Sequence, residues 1–338
     1  MADGQVLVVG AGAIGGVIAA ALTTHGRPVQ VLDADPAHVA HLRHPGLVTD
    51  RLGTVTTTRI DAVTDVDDLG GRFTTAIITV KAPRLAAALG PLAGRDLVDT
   101  YLSLGNGLVQ DRIGAVVGAD RLVTGVVEWG ATNLGAGHVA QTTTGPFVIG
   151  EPDGTTSARL TGIAELLTDV ADVRTTPDIR GQVWSKLLVN SAMSGLGAVT
   201  GLRYGQIAAD PLGRRALYGL WREGWDVGVA QHLRLDTVLG VHPDELAVRP
   251  GHPVEAADRA LDAAMAVAAA TKASMSQDLE RGIPTEVDVI NGGVVTTGRR
   301  LGLPTPLNAR VVDIVHECER GSRRPDVANL ACLTDLLP

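Results

Sequence analysis

The segment Gly10-Ala11-Gly12-Ala13-Ile14-Gly15 constrains this chain more than any other. It follows the apolar run Gln5-Val6-Leu7-Val8-Val9, which reads as a strand buried on both faces, and opens the small-residue stretch Ala13 to Thr24, which reads as a helix. In such a strand–turn–helix the first glycine makes the tight turn and the second lets backbone approach a pyrophosphate. The third lets the helix pack on the sheet. The helix N-terminus presents unpaired N–H groups and a partial positive charge to the phosphates. Gly10, Gly12, Ala13, Ile14 and Gly15 are therefore the expected dinucleotide-binding residues. The bland alternative is a glycine-rich turn that holds no ligand. A second buried strand, Val29 to Leu32, ends at Asp33, eighteen positions beyond Gly15. A carboxylate there can accept hydrogen bonds from the ribose hydroxyls of NAD and would repel the 2′-phosphate of NADP. Asp35 is a competing carboxylate.

The apolar stretch Val6 to Leu22 is not read as a signal peptide or membrane anchor. It is preceded by Asp3 instead of a positive flank, is interrupted by glycines, and falls short of the ~20 apolar residues that span a bilayer. A helix is expected at 36–43, strands near 76–80 and 97–102, and the helical stretch Pro83 to Leu89 between them. This alternation indicates a parallel, doubly wound sheet. Strands at 121–129, 137–143 and 146–150 lack intervening helices and extend the sheet differently. Helical segments then take over at 180–199, 211–231, 254–275, 285–301 and 305–320, after the turn Thr175-Thr176-Pro177-Asp178. The expectation is an α/β N-terminal Rossmann-like domain over 1–178 and an all-α C-terminal domain over 179–338, the length being enough for two ordinary domains.

Aromatic residues make up only 3% of the chain, so its core must be aliphatic. The net charge of −8 and the lack of a long basic run disfavour a nucleic-acid partner. Arg214-Arg215 and Arg323-Arg324 are short and read as solvated faces. The two cysteines, Cys318 and Cys332, have no metal-ligand spacing and suggest no disulfide framework, which fits a reduced cytoplasm. No metal and no membrane partner are expected. The helical half is where a homodimer would bury apolar faces.

A second constellation carries chemistry. Lys81 follows the third buried strand, and Gly105-Asn106-Gly107 follows the next. Both are placed where carboxyl ends of parallel strands open onto a ligand crevice. In the helical half, Trp184-Ser185-Lys186-Leu187-Leu188-Val189-Asn190 begins a long helix. Lys186, Asn190 and Ser194, four apart, span an arc of roughly 80° on one helix face. An ammonium, an amide and a hydroxyl beside apolar neighbours suit a small oxygenated anion. Further on stand Ser274-Met275-Ser276-Gln277-Asp278 and Thr285-Glu286-Val287-Asp288-Val289-Ile290-Asn291-Gly292.

With these six ordered motifs the chain resembles the ketopantoate reductase family over nearly its whole length. The resemblance implies a nicotinamide-dependent oxidoreductase that acts on a 2-oxo or 2-hydroxy acid. It implies that Lys186 is the catalytic lysine, Asn190 an active-site asparagine, and Ser274 a ligand of the substrate carboxylate. It places Asn106 near the nicotinamide and Lys81 near the cofactor, and makes Glu286 a carboxylate that touches cofactor ribose and orders the site. The logic of Lys186 stands independently: hydride addition to a ketone leaves an alkoxide, which needs a cation or a proton in place as charge develops. An ordinary lysine is a weak acid near neutrality, so burial or a second cation, for which Lys81 is a candidate, would have to tune it.

Each residue also has a plainer reading. Lys186 could snorkel from an amphipathic helix, Asn190 could be a packing residue, and Asn106 could supply a left-handed turn. Ser274 could be an ordinary helix residue and Glu286 a first-turn carboxylate. His138, His232 and His316 have no identifiable partner and read as surface or packing residues.

The chain departs from the family pattern at three places. Asp33-Ala34-Asp35 stands where NADP-using members carry an arginine, which argues for NAD. Ser194 and Thr271 stand where the family has asparagines that help hold the substrate's carboxylate and hydroxyl. A shorter side chain at 194 is expected to enlarge the pocket or admit water. NAD-linked relatives that oxidise branched or aromatic D-2-hydroxy acids, such as D-mandelate, are similar in this respect. Other open readings are a reductase for a bulkier carbonyl or an imine, and a dinucleotide-binding sensor without catalysis.

Overall fold

The structure, a computed structural model, describes residues 4–249 and 254–337. The chain forms two compact units. The first runs to Gly105 and resumes over Val109–Ile179; the second comprises Asn106–Leu108 and the chain from Arg180 onward.

The first unit holds strands β1 (Val6–Val9), β2 (Val29–Leu32), β3 (Leu47–Arg51), β4 (Thr54–Thr58), β5 (Asp61–Val63) and β6 (Phe73–Ile78). It continues with β7 (Val98–Ser103), β8 (Leu122–Val127), β9 (Ala131–Gly135), β10 (His138–Gln141), β11 (Phe147–Gly150) and β12 (Val173–Thr175). Its helices are α1 (Ala13–Thr24), α2 (Pro36–Arg43), α3 (Leu85–Arg95), α4 (Gln110–Val117) and α5 (Ala158–Leu167). Eight strands form one sheet in the order β12-β11-β8-β7-β6-β1-β2-β5. All neighbours in it are parallel except β8 and β11. The chain steps from β1 outward through β2 to β5, then returns to β6 on the other side of β1. That reversal leaves a crevice at the carboxyl ends of β1 and β6, the place where such sheets bind ligands. The register pairs Val9 with both Leu32 and Ile78, so Gly10, Asp33 and Thr79 leave the sheet at one edge.

β1 is buried along its whole length, as an apolar strand covered on both faces must be. Its core is aliphatic; Tyr101, Phe73 and Phe147 are the large rings fully buried here. Lys81 stands three residues beyond β6 and opens a 3-10 turn, Ala82–Arg84, before α3. The helix expected at 83–89 thus begins later and runs further.

Four strands were not anticipated as a separate layer: β4-β3-β10-β9 make a second sheet. The expected strand at 137–143 belongs to it and does not extend the main sheet, whereas β11 does, antiparallel to β8. The β3–β4 hairpin turns on Leu52 and Gly53, both at positive φ. That geometry usually calls for Asn-Gly or Asp-Gly, and β4 is Thr-rich and mostly exposed, so neither turn nor strand announced itself.

The second unit is helical: α6 (Ile179–Val189, its first residue in the first unit), a π-helical turn (Asn190–Ser194), α7 (Gly195–Thr200), α8 (Tyr204–Ala209) and α9 (Pro211–Ala230). It continues with α10 (Glu255–Ala268), α11 (Ser274–Glu280), α12 (Asn291–Leu301) and α13 (Pro306–Glu319). The helix expected at 254–275 stops at Ala268. The one expected at 285–301 begins only at Asn291, because residues 286–290 form tight turns closed by Val289 and Ile290 N–H groups on Glu286 O. Trp184 fixes α6 on α9, donating to Gly224 O at 2.9 Å. Among the described residues no helix is long and apolar enough to cross a membrane.

Candidate active site

In the first unit the glycine loop has the shape a dinucleotide requires. Gly10 adopts φ +89°, which a side chain would disfavour. A Cβ at Gly15 would lie 1.9 Å from Gly10 O, so only glycine fits where α1 meets the loop; at Gly12 a Cβ would meet nothing within 4 Å. The open side of Gly12 and the unpaired first-turn N–H groups of α1 therefore fit a pyrophosphate. Ala13 and Ile14, half-buried, form that first turn.

The two candidate carboxylates have separate roles. Asp33 is half-buried, and its Oδ2 accepts from Ala11 N in the loop at 2.7 Å while Oδ1 accepts from Asp35 N at 3.0 Å. Asp35 caps α2, accepting from Ala37 N and His38 N at 2.9 and 3.3 Å. The loop side belongs to Asp33 and the helix cap to Asp35.

His38, which the sequence did not single out, anchors the same loop. Its buried ring accepts from Gly137 N at Nδ1, 2.9 Å, and so donates from Nε2 to Ala11 O, 2.7 Å. A backbone amide can only donate, so this pairing fixes the tautomer. Lys81 is half-buried beyond β6.

In the second unit Lys186 and Asn190 are half-buried among the buried residues Trp184, Ser185, Leu187, Leu188 and Ser191. Four residues of α-helix advance the face by about 40°. The turn from Asn190 to Ser194 is instead π-helical, with Gly195 N–H donating to Asn190 O, five residues back. The even α-helical spacing assumed for Lys186, Asn190 and Ser194 therefore does not extend past Asn190. Such bulges are frequent at functional sites.

Ser194 does not enlarge a pocket. It is 2% exposed, and its hydroxyl meets the Tyr204 hydroxyl at 2.6 Å, so Tyr204 takes up the space beside the shorter side chain. Burial pushes the Tyr204 phenol up from its ordinary range, with the Ser194 hydrogen bond opposing. Asn106, assigned to this unit, donates from Nδ2 to Glu286 Oε2 at 3.3 Å, and the neighbouring Leu108 N donates to Val289 O. The structure thus brings Asn106 and Glu286 together. Glu286 is buried and lies in the turns before α12, not in a helical first turn. Thr271 and Ser274 are exposed, Ser274 as the first residue of α11.

His316 does have a partner, Asp288 at 3.0 Å. Among the described residues no group of three or more His, Cys, Asp or Glu could hold a metal ion.

Comparison with known proteins covers most of the chain. The family model described as ketopantoate reductase PanE/ApbA matches residues 6–154, and that of its C-terminal part matches residues 178–319. The 2-dehydropantoate 2-reductase of Mesorhizobium japonicum is 31% identical over 345 residues, covering 94% of this chain and 99% of that protein. That of Archaeoglobus fulgidus is 27% identical over 321 residues, covering 94% and 98%. A solved structure of D-mandelate dehydrogenase with NADH and anilino(oxo)acetate gives a TM-score of 0.80 at 21% identity, over 94% of this chain and 99% of that one. At that identity the likeness speaks for the fold.

Proposed function

Because this chain belongs to the ketopantoate reductase family, we propose that it is a nicotinamide-dependent oxidoreductase that interconverts a 2-oxo acid and a 2-hydroxy acid, with NAD preferred to NADP. The observation that carries the reading is that Lys186 and Asn190 stand about one helical turn apart, both half-buried, with Trp184, Leu187 and Leu188 buried beside them. An ammonium and an amide placed together out of bulk water suit a carbonyl oxygen that becomes an alkoxide.

When bound, the dinucleotide supplies or takes up the hydride at C2 of the substrate. Lys186 holds the proton that the oxygen needs and gives it up as negative charge develops there. General-acid assistance of this kind is worth about 10²–10⁴ in rate. The Asn190 amide orients the same oxygen by donating to it. Glu286 fixes Asn106 by accepting from its amide, and together they support the nicotinamide ribose. Ser274 offers an exposed hydroxyl to the substrate carboxylate.

The glycine loop and the first turn of α1 hold the pyrophosphate, with Lys81 nearby. Asp33, held against Ala11 N, accepts from the ribose hydroxyls and repels a 2′-phosphate. No arginine stands at 33–35 to receive that phosphate.

The substrate is read as a 2-oxo acid with a branched or aromatic side chain. Ser194 is committed to Tyr204, and Thr271 offers only a hydroxyl, so two amide donors that would hold a hydroxylated substrate are missing. Spectrophotometric oxidation of NADH and NADPH against 2-oxo acids of graded size tests this directly. NADH should give the higher kcat/KM, and an oxo acid with a branched or aromatic side chain that carries no hydroxyl should outrun ketopantoate. A clear preference for NADPH would overturn the cofactor assignment, turnover confined to imines would move the substrate class, and complete inertness would favour a non-catalytic dinucleotide sensor.

A further inference from the structure

A chain of polar groups in the second unit, half-buried at Glu223 and fully buried at Asn308 and Asn291, ends on the π turn. The carboxylate of Glu223, on α9, reaches the start of α13, where Oε1 accepts from Leu307 N at 2.8 Å and Oε2 from Asn308 N at 2.9 Å. Oε2 also accepts from Asn308 Nδ2 at 2.8 Å. Asn308 Oδ1 accepts from Asn291 Nδ2 at 2.9 Å, and the same nitrogen donates to Ser191 O at 2.8 Å. Both asparagines are fully buried.

The direction of this chain is forced. With both Glu223 oxygens facing N–H donors, Asn308 must turn its NH2 toward the carboxylate and its oxygen toward Asn291. Asn291 must then present its own NH2, which leaves it a donor for Ser191 O. Burial pushes the Glu223 carboxyl above the usual carboxylate range, with the N–H groups of Asn308 and Leu307 opposing. The charge is thus kept in an unfavourable place by what it binds.

The far end explains the geometry. An α-helix would give the Gly195 N–H to Ser191 O. Here that N–H goes to Asn190 O and Ala192 O, and the carbonyl it passes over receives Asn291 instead. Gly195 permits the approach, since a Cβ there would lie 3.0 Å from both atoms of the Asn291 amide.

We propose that Glu223 and Asn291 are positioning residues for catalysis: the polarised chain Glu223–Asn308–Asn291 holds the π turn open at Ser191, and the open turn sets the direction in which Asn190 leaves the helix near Lys186. This rests on the roles assigned above to Lys186 and Asn190. A purely structural alternative makes Glu223 only a cap for α13. Asn291→Ala separates the two, because it leaves the bonds from Glu223 to Leu307 and Asn308 in place.

The test combines crystal structures and steady-state kinetics of Asn291→Ala and Glu223→Gln, with Asn190→Ala as a background. In the variants the Gly195 N–H should leave Asn190 O and the Asn190 side chain should turn. At that displacement kcat should fall by about 10²-fold, with KM for the dinucleotide within about twofold of wild type, since no uniform binding is removed. Added to Asn190→Ala, neither substitution should lower kcat further. A π turn that keeps its bonds and its Asn190 in both variants overturns the proposal, as does undiminished kcat or an additive loss in the Asn190→Ala background. A wild type inert toward every oxo acid would instead sink the proposed activity, and the crystal structures would still decide the positioning claim. If Asn291→Ala does not fold, Glu223→Gln, which keeps size and shape, is read on the same criteria.

Discussion

Asp33 and Asp35 stand two residues apart, yet one carboxylate lies on the glycine loop and the other on a helix cap. Replacing Asp33 by Ala should raise KM for NADH and narrow the preference over NADPH, by about tenfold for one lost charge-assisted hydrogen bond. Replacing Asp35 should loosen α2 by about 1 kcal/mol, the ordinary cost of a lost cap, and leave cofactor choice alone. Parallel KM determinations and urea melts separate the two. His38 belongs at the same scale. Because its ring ties Ala11 to Gly137, His38→Ala should raise KM for NADH severalfold, about the worth of one or two buried hydrogen bonds. His38→Gln, which can both donate and accept, should recover part of the loss. Lys186 and Asn190 stand out in sequence by their four-residue spacing on one helix, and Asn106 and Glu286 by the family resemblance; the structure brings the last two together. His38 does not, because its partner lies 99 residues away. The chain from Glu223 to Ser191 was hidden for the same reason: it joins segments brought together only by folding.

The helix that carries Lys186 is held by close packing at two glycines of α9. A Cβ at Gly228 would lie 2.4 Å from Trp184 Nε1, and one at Gly224 would lie 2.7 Å from Leu188 Cδ2. Gly228→Ala should gain helix propensity but overpack a fully buried indole, for a net loss of about 1–2 kcal/mol. A urea midpoint equal to or above wild type would mean that α6 can shift without cost. Helices such as α1 and α9 were readable in the chain itself, whereas α4, α5 and α8 were not expected. The second sheet was not readable either: its hairpin uses Leu52 where the turn geometry gives no side-chain signal, and β4 shows threonines to solvent instead of alternating. The π turn was equally invisible, since an inserted residue in a helix changes hydrogen-bond partners without changing residue types.

At the scale of the whole molecule, each unit carries its own share of the pH response. In the first, the Arg159 guanidinium and the Ser157 hydroxyl hold the buried Glu151 carboxyl below its ordinary range against the opposing effect of burial. The unfolded chain therefore takes up this proton at higher pH than the folded one. The stabilisation is complete above the usual glutamate range and is lost as pH falls through the lower, folded value. Glu151→Gln should flatten the acid limb of stability when unfolding is followed at pH 7 and then at successively lower pH. In the second unit Glu223 has the opposite sign: its raised folded value means that ionisation costs stability, and that cost appears as pH rises from the usual glutamate range through the folded value. The central claim is that one chain joins a dinucleotide loop to a lysine that protonates the reduced carbonyl. The most direct measurement is the rate of NADH oxidation with the best 2-oxo acid for wild type and Lys186→Ala, alongside NADH binding by fluorescence. The account predicts turnover by wild type, a loss of about 10²–10⁴ in kcat for the variant, and unchanged NADH affinity; a variant as fast as wild type would contradict it.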